Sequence, residues 1–139
     1  MPISSLPSPY GIGTLGKTAY EWIDFLKEAG QSWWQILPLG PTSYGDSPYQ
    51  SFSSAAGNPY LIDLDMLINE GLLEKSDVEK INWGQKPEKV DYGAIYNSRF
   101  AVLHNAYTNG KEKLSQEFSA FKEENREWVD DYALFMSLK

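Results

Sequence analysis

Residues 33–64 read W-W-Q-I-L-P-L-G-P-T-S-Y-G-D-S-P-Y-Q-S-F-S-S-A-A-G-N-P-Y-L-I-D-L. The opening seven residues form a short, nearly continuous apolar run, the pattern of a strand buried on both faces, and Pro38 marks its end. From Tyr44 onward the chain packs tyrosines, small hydroxyls, amides and turn formers between two apolar segments. Long irregular connections are uncommon in compact domains, and those that stay ordered tend to carry binding or catalysis. The loop is therefore the candidate wall of a site.

Upstream, Pro2, Pro7 and Pro9 break the first ten residues, and G-I-G-T-L-G at residues 11–16 opens a segment in which Leu15, Ala19, Trp22, Ile23 and Leu26 follow helical spacing. This predicts a helix over residues 14–29, stopped by Gly30. Downstream, Asp63 or Asp65 is a candidate cap for a short helix through residues 67–70, closed by Gly71, and residues 76–81 predict another helical turn. Residues 82–90 read as irregular. Three helical patterns follow: Ile95, Val102 and Leu103; then Leu114, Phe118 and Phe121; then Trp128, Val129, Tyr132, Phe135 and Met136. Asn109-Gly110 and Glu124-Asn125 are the natural breaks between them. The last pattern runs to Lys139 without a terminator, and a lone strand leaves its backbone groups without partners, so part of a larger protein is expected.

With 139 residues, 42% hydrophobic and 14% aromatic, the chain can bury a core, and one globular domain is expected. Twelve basic against 19 acidic residues give a formal charge of −7, which repels phosphate backbones and anionic lipid surfaces, so no nucleic-acid or membrane partner is expected. No apolar run approaches the roughly 20 residues that a membrane helix needs. Met1 is followed by Pro2 and small polar residues, not by a basic segment and an apolar stretch, which makes the cytoplasm the expected compartment. Cysteine is absent and His104 is the single histidine, so no thiolate or histidine metal site is expected, and no cofactor.

The G-I-G-T-L-G run matches the glycine spacing of a dinucleotide fingerprint, but a proline-broken coil precedes it where a strand is needed, and Ile36 stands near the position of the acid. Helix entry and tight packing are the expected roles of these glycines. His104 has no Ser, Cys or Asp arrangement around it that would make a triad. The acidic pattern of Glu123, Glu124, Glu127, Asp130 and Asp131 reads as a solvated helix face.

The loop composition suits one ligand class. Sugars offer hydroxyls to polar side chains and an apolar ring face to aromatics. Tyr44, Tyr49, Phe52 and Tyr60 are candidate stacking faces, and Asp46, Ser47, Gln50, Ser51 and Asn58 candidate donors and acceptors. Composition equally allows the aromatics to pack the loop onto the body while the polar groups satisfy its backbone.

Three segments together, P-I-S-S-L-P-S-P-Y-G-I-G-T-L-G (residues 2–16), W-W-Q-I-L-P-L-G-P-T (33–42) and the loop at 44–64, closely resemble the amylomaltases, 4-α-glucanotransferases also called disproportionating enzymes. V-D-Y-G-A-I-Y (90–96) and D-Y-A-L-F-M-S-L-K (131–139) extend the similarity over nearly the whole chain. The resemblance implies an α/β fold: the start of a (β/α)8 barrel of the α-amylase-like clan over residues 1–64, with a helical insertion subdomain over 65–139. The part in hand is expected to be mostly helical. Where the family has a longer apolar lead into its first strand, this chain has only residues 1–5. Barrel sites form at the C-terminal ends of strands, where the loop begins.

The resemblance also implies the chemistry. In the family a maltooligosaccharide is cleaved with retention, and a sugar hydroxyl resolves the glucosyl-enzyme. Retention needs two carboxyl groups about 5 to 5.5 Å apart. The family's catalytic acids belong to later barrel strands, so no catalytic residue is expected here and the chain alone should be inactive. What carries over is substrate binding. Asp46, Ser47 and Tyr49 match the D-S-P-Y segment lining the donor side of the cleft, and Tyr44 and Tyr96 match tyrosines of a second glucan-binding groove. An α-glucan is thus the expected partner, and an exposed strand would favour self-association. A stand-alone glucan-binding module or a purely structural helical domain are the alternatives.

Overall fold

In the computed structural model, which describes residues 1–84, 86 and 88–139, all regular structure is helical. Six α-helices follow one another: α1 (Lys17–Glu28), α2 (Leu64–Asn69), α3 (Ser76–Glu79), α4 (Tyr92–Gly110), α5 (Ser115–Glu124) and α6 (Val129–Leu138). Two 3-10 turns, Ile3–Ser5 and Pro59–Leu61, mark the start of the chain and the end of the loop. No described helix is long and apolar enough to cross a membrane.

The helix ends are local chemistry. Both α1 and α2 close on a glycine in the left-handed region, Gly30 at φ 72° and Gly71 at φ 70°. In each case the next residue's N–H reaches back to the helix: Gln31 donates to the Leu26 carbonyl at 2.8 Å and Leu72 to that of Leu67 at 2.9 Å. This double-bonded ending needs a residue that tolerates positive φ. Of the two candidate caps of α2, Asp63 is the one used, accepting from Met66 N at 2.9 Å. Asp65 instead accepts from the Tyr10 hydroxyl at 2.5 Å. Asp91 caps α4 by accepting from Ala94 N at 3.0 Å.

The long helix α4 organises the interior. Its buried residues Ile95, Arg99, Val102, Ala106 and Gly110 recur every three or four positions and form one stripe. Val102 and Ala106 join Tyr10, Leu64, Leu72, Leu73, Val78 and Trp83 in the largest core cluster. Ile95 joins Ile12 and Tyr60 in another, and Ile3, Leu6, Ala19 and Leu61 form a third beneath α1. At the end of the stripe, Gly110 lets Leu72 approach to 3.1 Å of where a Cβ would stand, while Asn109 and Lys113 donate to the carbonyls of Leu72 and Glu70. Helices α5 and α6 bury no residue fully.

The strand expected over residues 33–39 is not formed, and no strand exists among the described residues. The apolar run lies open: Trp33 is 91% exposed, and Ile36, Leu37 and Leu39 are exposed as well. Two bonds tie this segment down, from Trp34 Nε1 to the Met1 carbonyl at 2.8 Å and from Asn58 N to the Leu39 carbonyl at 2.7 Å. A ladder needs a neighbouring strand to take its N–H and C=O groups, and no described segment supplies one. Residues 1–5, the short lead expected before a first strand, likewise contain no strand but the Ile3–Ser5 turn. The irregular chain expected over residues 82–90 is found in the described residues there; Gln85 and Pro87 lie outside them.

The glycine run serves packing, as its failed fingerprint context implied. A Cβ on Gly11 would collide with the Trp83 carbonyl, one on Gly13 with the backbone of Ile3 and Leu6, and one on Gly16 with the Asp63 carboxylate. Gly57, by contrast, faces open space. Gly13→Ala is expected to lose about 2 kcal/mol or more in urea unfolding, and Gly57→Ala to stay within about 0.5 kcal/mol of the parent.

Candidate functional site

The loop holds itself together. Ser51 Oγ donates to the Ser53 carbonyl at 2.7 Å, and Ser53 Oγ accepts from Ala56 N at 3.0 Å and Ala55 N at 3.2 Å. Asn58 Oδ1 accepts from Tyr60 N at 2.9 Å, starting the 3-10 turn. Ser51 and Asn58, two candidate sugar partners, are therefore already engaged with the loop's own backbone.

The aromatics divide between the two roles that composition allowed. Tyr60 is buried and packs on Phe100 and Tyr92, at centroid distances of 5.6 and 6.3 Å. Phe52 is half-buried against Phe135 at 5.6 Å, with Lys139 Nζ 3.8 Å from its centroid. Tyr44 and Tyr49 instead stand out from the body, 100% and 75% exposed. A tight turn presents Tyr44: Asp46 N donates to the Ser43 carbonyl at 3.0 Å, with Gly45 at φ 91° and Asp46 at φ 55°. Aspartate is among the few residues that enter this left-handed region readily.

Tyr44 and Tyr96, 52 positions apart in sequence, line one open groove of about 880 Å³. Pro41, Thr42, Ser43, Phe52, Asn58, Pro59 and Tyr60 complete the loop wall; α4 contributes Asn97 and Phe100, α6 contributes Tyr132 and Met136, and Lys139 follows them. Tyr96 is 65% exposed, with its ring edge-on to Phe100 at 6.0 Å. Asp46 faces elsewhere, into a hollow of about 80 Å³ with Ile12, residues 37–39, Pro48 and Tyr92. Ser47 and Tyr49 line neither space. The structure thus unites Tyr44 with Tyr96 and separates them from Asp46, Ser47 and Tyr49. Phe100 and Tyr132 were missed as groove residues. Phe100 was legible as the residue one turn beyond Tyr96, on the same helical face, whereas Tyr132 sat within an apolar pattern that reads as core.

Burial shapes the titration of this region. It raises the hydroxyls of Tyr60 and Tyr92, and the Asp46 carboxylate adds to both shifts. Tyr10 is raised well above its ordinary value by burial and then by its bond to Asp65, and Tyr132 by burial. Arg99 moves the other way, lowered to about 10 by burial although Asp63 opposes the shift.

A family model described as 4-alpha-glucanotransferase matches residues 1–139. The chain belongs to the 4-alpha-glucanotransferase family. It is 58% identical over 139 residues to the 4-alpha-glucanotransferase of Clostridium butyricum, covering 100% of this chain and 28% of that one. It is 51% identical over 140 residues to the 4-alpha-glucanotransferase of Thermus thermophilus, covering 98% of this chain and 27% of that one. Among solved structures, the amylomaltase from Streptococcus agalactiae in complex with acarbose superposes with a TM-score of 0.94 at 50% identity, over 100% of this chain and 28% of the other. This member of the 4-alpha-glucanotransferase family therefore spans 27 to 28% of the length of these relatives.

The raised tyrosines set the alkaline behaviour. Each stays protonated in the folded chain beyond the pH at which it ionises unfolded, 10.0, so its stabilisation is whole below that pH and is lost as pH rises through the folded value. Arg99 opposes them, because above about pH 10 the folded chain gives up its proton before the unfolded chain does. Four hydroxyls outweigh one guanidinium. Urea unfolding free energy is expected to fall between about pH 9 and about pH 11, and less steeply in Tyr10→Phe.

Proposed function

We propose that this chain carries the substrate-binding loop and the lateral glucan groove of a 4-α-glucanotransferase, an enzyme that transfers α-1,4-glucan segments between maltooligosaccharides, or to glucose, by a retaining double displacement. The single observation that carries this reading is the joining of Tyr44 and Tyr96 across one aromatic groove, two rings the family resemblance assigns to a glucan site. Exposed tyrosine faces backed by Tyr60 and Phe100 suit the apolar face of glucose, and neutral sugars escape repulsion by a chain of formal charge −7. Asp46, Ser47 and Tyr49 are proposed to line the donor side of the cleft, apart from the groove. The complex of the Streptococcus agalactiae amylomaltase with acarbose, together with the family's name, supports an α-glucan as the ligand.

In this reading residues 1–64 start a barrel and residues 65–139 form a helical insertion beside it. The bond-breaking carboxyls belong to the larger share of the relatives' length that this chain does not match. Maltoheptaose titrated against the chain's tryptophan fluorescence is expected to saturate, and Tyr44→Ala or Tyr96→Ala to weaken binding about ten-fold, or about 1.4 kcal/mol. Incubation with maltotriose is expected to yield neither glucose nor longer oligosaccharides; transglycosylation would place the acids within this chain, and no saturable binding in the parent would leave a structural helical domain as the reading.

The apolar surface over residues 33–39 is proposed to drive self-association, although as an open hydrophobic patch and not as a strand edge. Light scattering at structural-work concentrations is expected to give a mass above the monomer, reduced in Trp33→Lys; a strictly monomeric parent counts against it.

A further inference from the structure

Arg99 lies in the middle of the buried stripe of α4 with 0% of its surface exposed. Its neighbours on that stripe, Ile95 and Val102, are apolar, so a methionine or leucine would fit the pattern at lower desolvation cost. The guanidinium sets against that cost one directed bond: Nη2 donates to the carbonyl of Ile62, 37 positions away. Its carbon lies 6.0 Å from the centroid of the Trp83 ring, and neither Nε nor Nη1 has a hydrogen-bond partner among the described residues. A cation with one engaged nitrogen is a poor way to fill a core and an effective way to hold a single backbone group.

The group it holds closely follows two residues of the loop wall, Pro59 and Tyr60. Ile62 directly follows the Pro59–Leu61 turn that ends the loop and carries Tyr60. In sequence Arg99 falls between Tyr96 and Phe100, the two rings that α4 offers to the groove, and it turns inward from the same helical stretch. We propose that Arg99 is a positioning residue that sets the spacing between the helix wall bearing Tyr96 and the loop wall bearing Tyr44. Its consequence for glucan binding rests on the function proposed above; its geometric content does not.

The chain has no native cysteine, so Ser43→Cys with Asn97→Cys gives two unique spin-label sites, one on each wall, leaving every tyrosine intact. Dipolar distance measurement on the parent pair is expected to give one narrow distribution, and Arg99→Met and Arg99→Gln to broaden it or add a longer distance. Maltoheptaose affinity is expected to fall about ten-fold in step. A purely structural role would lower the melting temperature and leave the distribution unchanged, so either folded variant showing an unchanged distribution overturns the inference. If the Met variant does not fold, the Gln variant decides on the same criterion. A parent that binds no maltoheptaose overturns the function proposed above and the glucan role of Arg99, while the distance distributions still decide the positioning; intact binding with unchanged distances overturns this inference alone.

Discussion

Three consecutive residues form the joint through which the chain is tied. The Leu61 carbonyl accepts from Leu15 N at 2.9 Å, the Ile62 carbonyl accepts from Arg99, and the Asp63 carboxylate accepts from Thr14 Oγ1 at 2.5 Å and from Met66 N at 2.9 Å. The four bonds recruit three pieces: the N-terminal segment twice, through Thr14 and Leu15, the long helix, and the helix that starts at Leu64. Backbone groups in an irregular segment must find partners somewhere, and here they find them in elements that would otherwise have little reason to meet. The short loop-ending turn can therefore act as a fixed origin for everything on either side.

From that origin the aromatic rings run outward in order of decreasing burial. Tyr60 is enclosed, Phe100 borders it, and Tyr96 and Tyr44 stand in solvent. Inner rings supply the apolar area that holds the walls, and outer rings keep their faces available. The same residue type thus serves as mortar or as surface according to depth. Asp46 acts on Tyr60 and Tyr92 through its charge, from a hollow that Tyr92 also lines.

Local signals were the legible part of this fold. Gly30 and Gly71 announced the ends of α1 and α2, the breaks near Gly110 and Asn125 fell where helices end, and Asp63 was one of two named caps. These features depend on a few adjacent residues. What failed depends on distant ones: residues 33–39 have the composition of a buried strand, but a strand is a property of a pair, and no described segment provides the second member. Arg99 was invisible for a related reason, since nothing in an apolar helical period announces that one charged side chain will turn inward toward a carbonyl 37 positions away. The site was legible in its types more than in its arrangement. Tyr44 and Tyr96 were named as a pair apart from Asp46, Ser47 and Tyr49 and do share a groove, and Phe100 follows from its place one turn beyond Tyr96, while the contribution of Tyr132 emerges only in three dimensions.

The serines of the loop carry a further implication. Because Ser51, Ser53 and Asn58 commit their polar atoms to neighbouring peptide groups, the wall keeps its shape without help from any guest. Most of the ordering entropy is then settled during folding, and a visitor meets a preorganised surface whose capture should be quick and rigid-body in character.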